Sequence, residues 1–418
     1  MSRRLMQVLA FTLVLGLALP PSSLAWGERG HDIVTRVAVR LLAAKIAPGT
    51  PLAAQFGRRE FMLGHLANVP DIVWRNQGEA IEEANAPTHF LDLEYVSPEL
   101  TFSTIPRTPA LALTRMKELC AAPPRAYVCA AREGSNLNES SAGTAPWRAG
   151  QLYRLTVDSL KAVSANGKSN DAAIDRALLT AGIMSHFIGD LGNPYHATVN
   201  YDGWETGQGG IHSYFESAVV SSYRLALDQE VFDAALTGRG LERTLRQLPL
   251  AGRSAMSRDP VDMAMALALD SRSRLDAANA IDLRFAVLKK SGTGPDGKRV
   301  SAERREASEL RFKFHELTVE RLATAAEVLA ALWFFAWEDA GKPDFKGYRS
   351  FAYPVSPEFI PPDYLSAAKY DASGAGGARK PGKVRRVSRG DRHREYLRHF
   401  IGMSGFDRGL ERAEDVSA

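Results

Sequence analysis

The residues with the most chemical promise lie in Ser185-His186-Phe187-Ile188-Gly189-Asp190-Leu191-Gly192-Asn193-Pro194-Tyr195-His196. His186 and Asp190 are four apart, so on a helix both side chains leave the same face. Pro194 ends that helix, and His196 can turn back towards the same cavity. Gly209-Gly210-Ile211-His212-Ser213-Tyr214-Phe215-Glu216 repeats the device, with His212 and Glu216 again four apart. Such a pair can chelate one metal ion, because the helix fixes the separation of the two ligands. Imidazole mixed with carboxylate suits zinc. A single His–Asp pair on a helix is ordinarily an ion pair or hydrogen-bonded couple. Two pairs about 25 residues apart, with a third His beside a helix-ending Pro, point to metal. Asp71 and His89 are weaker: alone, Asp71 reads equally as a helix N-cap and His89 as a satisfied core histidine.

Helices must position these residues. Ile33, Val34, Val37, Leu41 and Leu42 recur at helical spacing after His31. Leu178, Leu179, Ile183, His186, Phe187 and Asp190 do the same, and Leu310–Trp337 reads as one long Ala/Leu-rich helix. Alternating strand patterns of useful length are scarce. The expected fold class is therefore all-α, a single multi-helix domain over residues 26–340. Residues 133–147 and 291–304 read as loops. From Gly341 the composition turns to Pro, aromatic residues and then Gly, so 341–418 is expected to be a mostly irregular C-terminal extension.

The chain has 418 residues, 45% apolar and 24% charged, which excludes a disordered or collagen-like protein. Two cysteines are too few for a disulfide scaffold or a cysteine-built metal site. Arg3 and Arg4, the apolar run Leu5–Leu19 and Ser23-Leu24-Ala25 read as a signal peptide over residues 1–25. The apolar run is shorter than the ~20 residues a spanning helix needs. The expected product is secreted or periplasmic, with no transmembrane segment after cleavage, and Trp26 becomes its first residue. In that oxidising setting Cys120 and Cys129 are expected to pair across a short loop.

The Trp26-Gly27-Glu28-Arg29-Gly30-His31 start, with the ligand motifs above, resembles the zinc-dependent phospholipase C / S1–P1 nuclease superfamily. The resemblance covers roughly residues 26–220, and the long helix near Val319–Trp337 looks like that fold's closing helix. It implies three Zn²⁺. Asp71, His89 and His186 would bind the first, with Asp190 bridging to the second. The second would take the Trp26 amine and carbonyl, His31 and Asp190. The third would take His196, His212 and Glu216. A zinc-bound hydroxide would attack phosphorus in line. Asp71 would also orient the attacking water, as the catalytic residue. Arg75, one turn on, would contact a substrate phosphate or be a plain surface arginine. Phe90 would wall the substrate or belong to the core. His65, His315, His393 and His399 fall on no ligand position.

Features of both branches are present. Trp-Gly-x-x-Gly-His and His89-Phe90-Leu91-Asp92 look like the nucleases. Glu216 as last ligand, and the short interval from His196 to His212, look like the phospholipases. The expected substrate is a phospholipid, with single-stranded nucleic acid as the alternative. A non-catalytic zinc-stabilised binding module is the remote one. The formal charge of +4 is unevenly spread. Residues 379–398 hold nine Lys/Arg against Asp391 and Glu395, a net +7 against the total of +4, so the rest of the chain is mildly acidic. That run fits peripheral contact with an anionic membrane surface, a phosphate polymer, or a solvated tail.

Overall fold

The computed structural model describes residues 27–121, 137–163, 170–223, 226–249, 258–349, 351–354 and 356–366. The expected signal peptide, Trp26, Cys129 and the basic run at 379–398 lie outside these residues. Two compact units are distinguished, and nearly all described residues belong to the first, which runs to Tyr353 and resumes over Glu358–Ala367.

That unit is built on helices. The labelled ones are α1 (Gly27–Leu41), α2 (Glu60–Leu66), α3 (Ala145–Lys161), α4 (Asp171–Gly192), α5 (Leu227–Leu236), α6 (Arg239–Leu245), α7 (Pro260–Arg272) and α8 (Ala307–Asp339). Helix α8 is the axis. Every residue from Arg321 to Trp333 is buried, the charged Arg321 and Glu327 included. Helices α1, α3, α4, α5 and α6 pack around it. Trp333 donates from Nε1 to the Ala181 carbonyl at 3.2 Å, tying α8 to α4.

Helix α4 starts where the Asn170 side chain accepts from Ala173 N, satisfying one of the free N–H groups at its start. It stops at Gly192, just before Asn193-Pro194, because proline lacks the N–H that the next turn needs. The chain continues as a 3₁₀ turn, Pro194–Ala197, which carries His196. Thus the expected helices around His31, Leu178–Asp190 and Leu310–Trp337 all form.

Helix α6 approaches α8 closely enough to need glycine. A Cβ on Gly240 would lie 2.7 Å from Thr324 Cα and 2.8 Å from Glu327 Oε1. Glu327 in turn accepts from Gly240 N (3.2 Å) and Leu241 N (2.8 Å), capping α6 from another helix. Burial pushes the Glu327 carboxyl up to about 7, against those two hydrogen bonds and the charges of Lys45 and Arg243. The folded protein therefore holds a proton there that the unfolded chain releases above its ordinary value near 4.5. This group's contribution to stability is complete below pH 4.5 and is lost as pH rises towards 7. In Glu327→Gln that dependence should vanish. Relative to wild type, the variant should gain roughly 3 kcal/mol between pH 4.5 and 7.5, read from paired denaturant titrations. A constant difference across that range would refute the assignment.

The domain is mostly α-helical, as expected, with one small β region. Residues 287–304 form two small antiparallel ladders, which take in the stretch 291–304 expected as a loop. Strand β1 (Val287–Lys289) pairs with β4 (Glu303–Arg304), and β2 (Gly292–Thr293) with β3 (Arg299–Val300). These strands are two or three residues long and mostly exposed, so they leave no alternating apolar pattern to read. Of the expected Cys120–Cys129 disulfide, Cys129 lies outside the described residues, and Cys120 is not a free thiol.

The stretch after α8 is irregular, as expected from its composition, but it is not detached. Phe345 and Tyr348 are buried. Phe359 meets Trp74 edge-on, and Gln151 donates to the Pro361 carbonyl at 2.7 Å. Among the described residues no helix is long and apolar enough to cross a membrane.

Candidate metal centre

Eight of the nine expected ligands are described, and they gather into three adjoining clusters. These are His31, His186 and Asp190; Asp71, His89 and His186; and His196, His212 and Glu216. Within each cluster the ligand atoms lie within 4.8 Å of one another. Trp26, the ninth, lies outside the described residues, but Gly27 opens α1 and brings His31 inward one turn later.

Helix α4 supplies the centre. Asp190 is fully buried and meets four imidazoles. Its Oδ2 lies 3.0 Å from His89 Nδ1 and 3.2 Å from His186 Nε2. Its Oδ1 lies 3.4 Å from His31 Nε2 and 3.8 Å from His196 Nδ1. Burial alone would raise the Asp190 carboxyl, yet His186 and His196 hold it well below the ordinary carboxylate range. His31 stacks on His186 with ring centroids 4.0 Å apart. Gly189 makes that possible, since a Cβ there would stand 2.7 Å from His31 Nδ1.

The tautomers can be read from backbone partners. A carbonyl oxygen only accepts, so a ring nitrogen beside one carries its proton. His186 Nδ1 lies 2.6 Å from the Ala67 carbonyl, and His196 Nδ1 lies 2.7 Å from the His89 carbonyl. In each neutral ring Nε2 is then a bare lone pair. His186 Nε2 points at His89 Nδ1 across 2.9 Å. His196 Nε2 points at His212 Nε2 across 2.9 Å and at Glu216 Oε2 across 3.3 Å. His89 Nε2 accepts from Asn85 Nδ2 at 3.1 Å, so in the neutral ring its Nδ1 carries the proton towards Asp190 and His186. The nitrogens of His196 and His212 and the Glu216 carboxylate, by contrast, need a proton or a cation between them. Burial opposes charge on His196, but Asp190 and Glu216 outweigh it and hold its pKa up at about 9. Burial lowers His31 and His89 instead, keeping them neutral and fit for coordination.

Orphaned buried atoms complete the test of fit. Both ring nitrogens of His31, and Asp190 Oδ1, have no hydrogen-bond partner among the described residues. Buried polar atoms rarely stay that way, and a cation shared by these donors would satisfy them. The set of five imidazoles and three carboxylates fits borderline divalent metal ions.

The third cluster is held by residues that the motif reading passed over. His212 and Glu216 lie where a short helix, Ile211–Ser213, runs into a π-helical segment, Tyr214–Val219. Such π turns recur at functional sites. Asn193, directly before the helix-ending proline, donates to Glu216 Oε2 at 3.1 Å. The loop leading to His212 is clamped by the small ladders: Ser291 N donates to Gly207 O and Ala302 N to Gly209 O, both at 2.9 Å. Arg304 reaches Asp282 at 2.9 Å, and Gln208 donates to the same carboxylate at 2.9 Å. Asn193 was findable within its motif. The clamp was not, because its members lie up to about 100 residues apart.

Asp71 and Arg75 sit one turn apart at the edge of the centre. Asp71 Oδ1 is 3.9 Å from His89 Nδ1 and 4.0 Å from His186 Nε2. Arg75 meets Asp71 at 3.1 Å and reaches Glu82 at 3.9 Å, so its charge is engaged by carboxylates of the protein. Phe90 is half-buried beside His89. Under the first cluster, Phe187 flanks both His89 and His186, and beneath it the fully buried Arg148 lies against the Trp74, Phe187 and Phe359 rings. His65 and His315 lie outside the clusters, as expected: His65 stacks on Tyr353, and His315 meets Glu230 at 2.6 Å.

No family model matches this chain, and no curated protein matches it.

Proposed function

We propose that the chain is an exported, zinc-dependent hydrolase of phosphate esters, of the phospholipase C type, within the zinc-dependent phospholipase C / S1–P1 nuclease superfamily. The observation that carries this reading is the convergence of imidazole nitrogens and carboxylates in three adjoining buried clusters, two of which share His186. By the resemblance, Trp26 completes the set with its amine and carbonyl.

Zinc ions held there would supply Lewis acidity for the phosphoryl oxygens and an activated water near neutral pH. The protein's own residues do the positioning. Asp190 sets the spacing of the first two clusters, because each of its oxygens faces a different set of rings. Asp71 would accept a hydrogen bond from the attacking water and orient it, while Arg75, at 3.1 Å, fixes the Asp71 carboxylate. Phe90, at the edge of the site, excludes water from one side of the substrate. Glu216 and Asn193 hold the third cluster, and an ion bound there would stabilise the leaving oxygen.

The substrate is read as a phospholipid because the last ligand is Glu216 and the His196–His212 interval is short. The His89-Phe90-Leu91-Asp92 segment favours the second reading, an endonuclease for single-stranded nucleic acid. Purified, metal-loaded protein should be offered a phosphatidylcholine analogue and single-stranded DNA side by side. Release of phosphocholine without DNA cleavage is expected; the reverse result transfers the assignment to the nuclease. Glu216→Ala should lower bound zinc from three to about two per chain and cut turnover by roughly 10²-fold or more, measured by elemental analysis beside the same assay. Full metal content in that variant would break the ligand assignment.

A further inference from the structure

The residues that clamp the His212 loop have an outer face. Among the described residues, four of the large apolar side chains most exposed to water fall between positions 283 and 312. Leu283, Leu288, Val300 and Phe312 are 39%, 56%, 53% and 70% exposed. Cations are interspersed with them along the chain. Residues 283–313 contain nine Lys/Arg against four Asp/Glu. Of these, Lys289, Lys290, Lys298, Arg299 and Arg305 are exposed on or beside the ladders. The two parts of the face meet at Phe285, where the Lys313 ammonium stands 4.7 Å over the ring.

We propose that this face docks on an anionic phospholipid surface. Exposed aliphatic side chains gain by leaving water for acyl chains, and Lys and Arg around them gain from anionic headgroups. A single-stranded nucleic acid would use the cations but gives Leu283, Leu288 and Val300 nothing to stack on. A second copy of this face would bring like charges together. The position also fits the chemistry. Gly209 O accepts from Ala302 N at 2.9 Å and from Arg304 Nη1 at 3.1 Å, three residues before His212, so docking would set the lipid beside the third cluster. This inference deepens the lipid reading of the site and rests on it for its substrate, but its test does not need turnover.

Full-length, metal-loaded protein is co-sedimented with phosphatidylcholine vesicles, with and without about one third phosphatidylserine, in moderate salt. Wild type should bind the serine-containing vesicles. The double variant Leu288→Asp/Phe312→Asp should bind at least tenfold more weakly, while hydrolysing a monomeric short-chain phosphatidylcholine at the wild-type rate. Lys289→Glu/Lys290→Glu, at two exposed positions that the core does not use, is the second variant and should weaken binding likewise. Equal binding by variants and wild type would overturn the proposal and place any affinity elsewhere, as in the 379–398 run. Binding of single-stranded DNA but of neither vesicle would also overturn it. Vesicle binding that the variants lose, without hydrolysis of the short-chain lipid, would uphold the docking face and sink the phospholipase reading alone.

Discussion

Asp190→Ala should leave a protein that retains about one metal ion of three and turns over substrate roughly 10³-fold more slowly or worse. One carboxylate meets imidazoles of two of the three clusters. Its oxygens lie 3.0 Å, 3.2 Å and 3.4 Å from His89, His186 and His31. Removing it strips an anion from the middle of a buried set of imidazoles, and cations held there would lose their charge partner. The third cluster does not depend on it to the same degree, because Glu216 supplies that cluster's own anion at 2.9 Å from His212. The expected result is therefore a partial metal loss, not a complete one. Elemental analysis after dialysis reads the metal content, and the phosphodiester assay reads the rate. Asp190→Asn separates charge from shape. It keeps one oxygen and the side-chain volume, so it should lose metal while staying folded. Retention of three ions in Asp190→Ala would show that the clusters do not share this ligand.

Part of this centre was legible in the sequence because helix geometry is local. His186 with Asp190, and the stop at Pro194, needed only the 3.6-residue period and the chemistry of proline. The long apolar run at 310–337 gave the central helix for the same reason. Other features were hidden by their physics. The His212–Glu216 pair has the spacing of an α-helical turn, yet Glu216 sits in a π-helical segment. No residue type in Tyr214–Val219 announces that widening. The two ladders at 287–304 are too short and too exposed to leave a period. Their function, holding Gly207–Gly210 in place, depends on hydrogen bonds between segments far apart in sequence. Arg148 is likewise invisible beforehand. An arginine in a helix reads as surface, and only the assembled Trp74, Phe187 and Phe359 rings show it to be buried.

The support under Asp190 yields the second large effect. Arg321, in the middle of α8, is fully buried and donates from Nη2 to Asp270 on α7 at 2.6 Å. Arg243 on α6 donates to the other oxygen of Asp270 at 2.8 Å. Ser271, the next residue, accepts from Arg321 at 3.2 Å and donates to the Leu191 carbonyl at 2.6 Å, directly after Asp190. Burial pulls the Arg321 pKa down from its ordinary value, and the Asp270 charge opposes that pull. Asp270→Ala would leave the buried Arg321 guanidinium with only Glu320, 3.4 Å from its Nε, as an anionic partner. Breaking a buried pair from one side costs about 3–5 kcal/mol, because the remaining charge stays desolvated. The loss should appear in urea titrations of the metal-loaded protein. Replacing both partners tests the reasoning, since Asp270→Ala with Arg321→Met removes the stranded charge. The double variant should recover at least half of the stability lost by the single one. Activity of the folded fraction at low temperature should change little in either, because neither residue belongs to the three clusters. A single variant as stable as wild type would show that Asp270 does not offset the buried Arg321 charge.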